Sequence, residues 1–388
     1  MKISIDIRAL QDKIHSGVQE YILNLLEQVF EFDGKNEYIL FSTGRKKCEH
    51  KRLYQLINKH KNVKTRHIRF PNKLLAIFWK FFNWPNLDKI LENPDILFAP
   101  NLNILPKELL NKTIITFHDL SFERFNQFFS FKSRAWHRYI RPTLLARKAK
   151  ALITVSESTK QDLEELYSID RDKINVIYLG KPKAEEGSNK DKARIKKKYD
   201  LPNKFILYVG TLEPRKNIIG IIKAYNLLRR NQDFSEYKLV LAGPRGWLFK
   251  EIFREIRQSL YRKDIIVTGA FKDKERAFLY KSASVFIYPS FFEGFGLPVL
   301  EAMSYGLPVV TSNRSSLPMV AGEGAIMIDP YRIGEITWSI SEILNDKRLY
   351  KRLVEHGLKR ADLFKWEDTA RKTLKLFEDT YEEIQNRD

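Results

Sequence analysis

Short runs of β-branched and aromatic residues, each followed by a longer amphipathic stretch, recur along almost the whole chain, and no other feature narrows its fold as far. Strands that are apolar on both faces must be covered on both faces, which is the condition of a parallel sheet flanked by helices. The first half predicts such strands at Ile3–Ile7, Tyr38–Phe41, Val63–Ile68, Ile96–Ala99, Thr113–Phe117, Ala151–Val155 and Asn175–Tyr178. The second half predicts them at Phe205–Val209, Lys238–Leu241, Ile265–Thr268, Val285–Tyr288, Pro308–Thr311 and Ala325–Ile328. An α/β protein is expected throughout. A length of 388 residues exceeds one ordinary core and suits two. Between Gly180 and Lys204 the sequence turns polar, with Pro182, Gly187, Ser188 and a dense Lys/Glu run, which sets the expected domains at 1–182 and 183–365. The helical pattern of 366–388 is expected to pack back on the first domain. No short-period repeat is visible, which argues against solenoids and propellers.

Sixty-eight Lys and Arg against 48 Asp and Glu leave a formal net charge of +20. Such an excess calls for an anionic partner, either nucleic acid, an acidic membrane surface or a phosphorylated ligand, although a lysine-rich background accounts for part of it. No nucleic-acid motif accompanies the charge, so nucleic acid is not an expected partner. The apolar run at Met1–Arg8 is interrupted by charges, and no apolar stretch is long enough to span a bilayer. A cytoplasmic protein is expected. The single cysteine, Cys48, agrees with a reducing compartment.

In doubly wound folds ligands lie outside the carboxyl ends of the strands, so functional residues should follow strands. Four groups do. The first is the loop Ser290-Phe291-Phe292-Glu293-Gly294-Phe295-Gly296 and the helix expected from Leu297, with Pro298 suited to its first turn. Free backbone N–H groups at such a helix start attract phosphate or sugar hydroxyls, and glycines let a ligand approach the main chain. Glu293 and Glu301 could address different parts of one elongated ligand, or they could be a capping residue and a solvated helix face. The second group is Glu213-Pro214-Arg215-Lys216, where a guanidinium fork and a compact ammonium suit phosphate oxygens. The third, Thr116-Phe117-His118-Asp119, ends a first-half strand with a histidine that either faces a cleft or bonds to Asp119. The fourth is Ser16-Gly17-Val18-Gln19-Glu20-Tyr21, where Gly17 allows a close backbone approach. This stretch lacks the G-x-G-x-x-G fingerprint of a nicotinamide enzyme.

Several strings carry a family resemblance: Tyr208-Val209-Gly210-Thr211-Leu212-Glu213-Pro214-Arg215-Lys216-Asn217, Leu239-Val240-Leu241-Ala242-Gly243-Pro244, Val267-Thr268-Gly269, the Glu-x7-Glu segment from Glu293 to Glu301, and Ser315-Ser316-Leu317-Pro318. Through them the second half resembles the retaining glycosyltransferases of family four, whose architecture is GT-B, two Rossmann-like domains facing across a cleft. The resemblance implies that Glu293 contacts the donor sugar, Glu301 the nucleotide ribose, and the Phe295, Gly296 and Leu297 backbone the sugar and diphosphate. It assigns Arg215 and Lys216 to the leaving diphosphate and His118 to the reacting centre, with Gly17, Gly210 and Thr211 also at the donor. Many relatives have a basic residue where Thr211 stands, and many have Glu where Met319 stands.

No cofactor is expected beyond the nucleotide-sugar donor. Asp170-Arg171-Asp172 fits the Asp-x-Asp pattern of metal-dependent glycosyltransferases, but it lies in an expected helix-to-strand turn, and no metal requirement is expected. The resemblance implies retention of anomeric configuration. It looks most like that of bacterial mannosyltransferases, which makes GDP-mannose the expected donor and a saccharide or polyprenyl-linked saccharide the expected acceptor, in the synthesis of a cell-surface polysaccharide or lipopolysaccharide. The aromatic run from Phe70 to Trp84 and the basic stretch from Phe131 to Lys150 suit either an anionic membrane surface or, equally, a core helix and a solvated face. The competing readings are a sugar-nucleotide epimerase of the same fold and a non-catalytic nucleic-acid-binding protein.

Overall fold

The computed structural model describes residues 1–12, 16–82, 84–182 and 189–386. The chain forms two compact units. The first comprises Met1–Leu120, Arg134–Gly180 and Lys365–Asp388, and the second Ser121–Ser133 and Lys181–Phe364.

The first unit is built on seven parallel strands: β1 (Lys2–Asp6), β2 (Glu37–Thr43), β3 (Val63–Ile68), β4 (Ile96–Ala99), β5 (Thr113–Phe117), β6 (Ala151–Thr154) and β7 (Ile174–Val176). Their order is β3-β2-β1-β4-β5-β6-β7. Ile3, Ser4 and Ile5 of β1, Tyr38, Ile39 and Leu40 of β2 and Ile96, Leu97 and Phe98 of β4 are all buried, because helices cover both faces of the sheet. The second unit has six parallel strands: β8 (Phe205–Val209), β9 (Lys238–Ala242), β10 (Ile265–Gly269), β11 (Val285–Tyr288), β12 (Val309–Ser312) and β13 (Ala325–Ile328), ordered β10-β9-β8-β11-β12-β13. Each sheet runs outward in both directions from its first strand, so the order reverses beside β1 in one unit and beside β8 in the other. At such a reversal the loops leave on opposite faces and open a crevice at the strand ends.

Every strand expected from the sequence is present, with ends displaced by at most two residues. One helix goes beyond the sequence reading, and one helical reading needs correction. The polar stretch after Gly180 contains the helix Asn189–Lys198, whose basic sequence gives little apolar periodicity; Gly187 and Ser188 lie outside the described residues. The basic stretch Phe131–Lys150 does not form one continuous face, because Arg141 has a left-handed backbone (φ 55°) and divides it into Phe131–Ile140 and Pro142–Lys148. Pro142 is the cause, since a proline disfavours the right-handed helical region for the residue before it. Cys48 is buried, which pushes its thiol pKa up. Asp170 and Asp172 sit at a single turn of 3-10 helix, Arg171–Lys173, leading into β7.

Candidate active site at the β8–β11 switch point

The residues after β8 and β11 meet where the second sheet reverses its order. Gly210 has φ 150° and donates its N–H to Ala242 O at 2.9 Å. The next residue in this close crossing, Gly243, passes so near that an added Cβ would lie 2.0 Å from Gly210 O. Tyr208 OH donates to Thr211 O at 3.0 Å, which fixes the start of the loop. The chain then makes a short 3-10 turn, Pro214–Lys216, and enters the helix Ile218–Leu228 through Asn217, whose side chain accepts from Gly220 N. This turn directs Arg215 and Lys216 toward the loop after β11.

There the two basic residues meet Glu293. Lys216 Nζ lies 2.6 Å from Glu293 Oε1 and 2.7 Å from Tyr288 OH. Arg215 Nη1 donates to Phe292 O at 2.6 Å and stands 3.2 Å from Glu293 Oε2, while Nη2 donates to Glu213 Oε1 at 2.9 Å. Glu213, Lys216 and Glu293 are all buried. Burial alone would raise the Glu293 pKa, but Lys216 and Arg215 overcome that penalty and hold it at about 2. Burial, reinforced by the Arg215 charge, lowers the Lys216 pKa, with Glu293 and Glu213 opposing the shift. Burial raises that of Glu213 against the pull of Arg215. Two cations are thus concentrated in a poorly solvated pocket, each pinned by a carboxylate, where an anionic ligand meets strong fields.

The Glu293 loop is held from a third side. Glu293 N donates to Ser315 Oγ at 2.9 Å, and Ser316 Oγ lies 2.9 Å from Glu293 O and 2.8 Å from Phe295 O. Gly296 turns the chain with φ 104°, and an added Cβ would come within 2.6 Å of Leu317. The helix Leu297–Ser304 follows, with Pro298, which has no N–H, in its first turn and Val299 N donating to Gly296 O at 2.9 Å. Glu301 is buried in a separate network, accepting from Arg276 Nη1 at 2.9 Å and Tyr280 OH at 2.8 Å. A solvated helix face, the plain alternative for Glu301, is therefore not what forms.

In the first unit, His118 directly follows β5 and its Nε2 donates to Pro100 O at 2.8 Å. Its ring packs edge-on against Tyr21, with centroids 4.9 Å apart, and Tyr21 OH pairs with Thr116 Oγ1. Burial lowers the His118 pKa, so the imidazole is neutral near pH 7. Gly17 opens the helix Gly17–Phe32 that carries Tyr21, after Ser16 as N-cap. The structure thus brings Arg215, Lys216 and Glu293 into one cluster, keeps Gly210 and Thr211 in the loop that leads from β8 to Arg215, and puts Glu301 in the helix that follows the Glu293 loop. Sequence reasoning gave no role to Tyr288, Ser315, Ser316, Arg276 or Tyr280, whose contacts join segments distant in the chain. Tyr288 alone had a local signal, as the last residue of an apolar strand just before the loop.

Two parallel doubly wound sheets, one with paired basic residues and paired carboxylates at its switch point, define a GT-B glycosyltransferase. Residues 15–181 match the family described as Glycosyltransferase Family 4, and residues 189–360 match Glycosyl transferases group 1. The O-antigen chain mannosyltransferase B of Escherichia coli is 34% identical over 286 residues, which is 73% of this chain and 74% of that protein. The chain belongs to this family of glycosyltransferases. The serotype-specific mannosyltransferase WbdA of Escherichia coli is 32% identical over 237 residues, spanning 59% of this chain and 29% of its own length. Among solved structures, sucrose-phosphate synthase from Thermosynechococcus elongatus superposes with a TM-score of 0.74 at 18% identity, covering 98% of this chain and 99% of its own. WaaG, a glycosyltransferase involved in lipopolysaccharide biosynthesis, gives 0.71 at 15%, covering 97% and 99%.

Proposed function

We propose that this glycosyltransferase moves mannose from GDP-mannose to a saccharide or lipid-linked saccharide acceptor during synthesis of a cell-surface polysaccharide, with retention and without a metal ion. The relatives named as O-antigen mannosyltransferases support the sugar and the polymer class. The observation that carries the reading is the buried Arg215–Lys216–Glu293 cluster at the β8–β11 switch point.

In this proposal Lys216 and Arg215 stabilise charge developing on the diphosphate as the glycosidic C–O bond breaks. Glu293, kept ionised by those same cations, accepts hydrogen bonds from the donor sugar, and Glu301 accepts from the ribose. The backbone of Phe295, Gly296 and Leu297 faces the sugar and diphosphate. Gly210 and Thr211 border it, and His118 and Gly17 serve the sugar and acceptor. The acceptor hydroxyl enters on the face the diphosphate leaves, and its proton passes to a departing phosphate oxygen. No protein base is required on the opposite face. Lys216 and Arg215 take the charge-neutralising role in this reading.

The test uses the full chain. GDP is expected to raise the thermal midpoint more than UDP or ADP, and Lys216→Ala or Glu293→Gln to lower kcat about 100-fold or more. Activity should survive EDTA, and the product linkage should have the donor's anomeric configuration by NMR. Full turnover by both variants, or an inverted product, would overturn the reading. Epimerised sugar nucleotide released without acceptor would favour an epimerase instead.

A further inference from the structure

The helix Asn72–Phe82 in the first unit carries apolar residues on two sides, an inner and an outer one. Leu75, Ala76 and Trp79 are buried. Trp79 Nε1 donates to Pro85 O at 3.0 Å and its ring lies against the Arg8 guanidinium, so this inner side is anchored. The outer side is apolar as well. Leu74, Ile77, Phe81 and Phe82 are 48%, 44%, 69% and 69% exposed, and Trp84 just beyond the helix is 54% exposed. Phe78 completes the helical spacing i, i+3, i+4, i+7, i+8 on that side. The ridge is ordered rather than scattered: Phe78 packs against Phe70, Phe82 and Trp84, with centroids 5.7, 5.8 and 5.5 Å away. Isolated exposed apolar residues are ordinary, but a contiguous stripe with an aromatic ridge marks a surface that another phase or molecule covers.

The charge around the stripe indicates which. Between residues 44 and 84 the sequence has twelve Lys and Arg and one acidic residue, Glu49, so more than half of the chain's excess of +20 is concentrated there. Some of these cations are spoken for by acids elsewhere in the unit: Arg52 pairs with Glu27, Lys59 with Glu31, Lys64 with Glu37 and Arg66 with Glu92. Arg45, Lys46, Lys47 and Arg69 are exposed and join no ion pair among the described residues. They gather at one end of the stripe. Thr43 Oγ1 donates to Asn72 Oδ1 at 2.6 Å and Gly44 N to Ile68 O at 3.1 Å, which ties the 45–47 loop to the first residue of the helix.

We propose that this face is an in-plane anchor for an anionic phospholipid bilayer, with the aliphatic and aromatic stripe in the acyl boundary and Arg45, Lys46, Lys47 and Arg69 among the headgroups. Among the described residues no helix is long and apolar enough to cross a membrane, and this one is shorter than a span, so it lies in the interface. The Trp84 indole, apolar with one polar edge, suits the boundary between tails and headgroups. A nucleic-acid surface fits the cations but leaves Leu74 and Ile77 in water. The surface lies in the first unit and the candidate donor cluster in the second, so this inference does not rest on the identity of the donor.

Vesicle flotation tests it, using phosphatidylcholine alone and phosphatidylcholine mixed with phosphatidylglycerol. The wild-type chain is expected to float with the mixed vesicles, to do so less as salt rises, and to stay largely unbound to phosphatidylcholine alone. Ile77→Asp with Phe82→Asp should abolish flotation while leaving the nucleotide-induced thermal shift unchanged, which shows that the donor site is folded. Lys46→Glu with Lys47→Glu, a variant in an exposed loop, should weaken binding to mixed vesicles about tenfold or more. The inference is overturned if wild type ignores both vesicles, or if both double variants float as wild type does. It is equally overturned if the stripe variant dissolves a wild-type dimer that never bound lipid, or if duplex DNA binds while vesicles do not. Loss of the nucleotide shift with intact flotation would sink the glycosyltransferase reading and leave the anchor standing.

Discussion

Glu293 stays ionised in a buried site only because Lys216 and Arg215 flank it, and the same environment that holds its pKa at about 2 makes the folded state sensitive to acid. The unfolded carboxyl titrates near 4.5. As pH falls below that value the unfolded chain takes up a proton that folded Glu293 refuses, so this contribution to stability is present above 4.5 and is lost as pH falls toward 2. His118 acts in the same direction in a higher window. Its folded pKa lies below the ordinary 6.5 through burial, with Pro100 O and Asp119 opposing the shift. Protons therefore favour the unfolded state from pH 6.5 downward, at no more than about 1.4 kcal/mol per pH unit. His118→Gln should remove this part of the slope. Urea midpoints at pH 7.5, 6 and 5 should converge between variant and wild type as the pH falls, and parallel curves would contradict the assignment. The identity of these residues was legible because strand, loop and helix start follow one another in the chain, so Glu293 and Glu301 stood out together. Their partners were not. Arg276 and Tyr280 reach Glu301 from 25 and 21 residues away, a pairing only the folded chain makes.

Strands were the most legible elements, since a strand buried on both faces needs a continuous apolar run and such runs are visible in any sequence. Ends slipped by a residue or two because pairing with a neighbour, rather than propensity, decides where a ladder stops: β2 reaches Thr43 by pairing with β3 through Ile68. Helices with a charged sequence were harder. Asn189–Lys198 offers no apolar stripe, and one buried residue, Ile195, is its main tie. Loop-to-strand crossings, which shape the candidate site, depend on backbone clearance that glycine permits. Gly243 is the sharpest case, with φ 149° and Gly210 O in the place of its missing Cβ. Gly243→Ala would meet both a strained backbone and an immovable carbonyl, so it should destabilise the second unit by about 2–4 kcal/mol. Thermal or urea unfolding reads this directly. A loss below about 0.5 kcal/mol would mean that the two strand ends separate more readily than their geometry implies.

At the level of the whole chain, the C-terminal segment returns to the unit in which the chain began. The helix Trp366–Gln385 packs along Gly17–Phe32, burying Trp366, Ala370, Leu376 and Phe377. Phe377 meets Phe98 of β4, Trp366 lies near Tyr21, and Thr369 Oγ1 donates to Tyr178 O at 2.7 Å. Gly180 marks how tight this closure is, because a Cβ there would lie 2.3 Å from Trp366 N. The apolar positions of the segment were legible as a 3.6-residue period, whereas Gly180 gave no hint of its neighbour 186 residues later. Removing residues 366–388 should expose the apolar side of Gly17–Phe32 and Phe98 of β4, with no direct loss to the sheet β8–β13. Three large buried side chains, Trp366, Leu376 and Phe377, at about 1.5–3 kcal/mol each, come to a large share of a small unit's entire stability. Amide exchange in the truncated chain should therefore accelerate across β1, β4 and Gly17–Phe32 while β8, β9 and β11 keep their protection. Uniform acceleration in both units would show that they unfold as one cooperative body, and unchanged exchange in the first would show that the helix is an accessory to a core already complete without it.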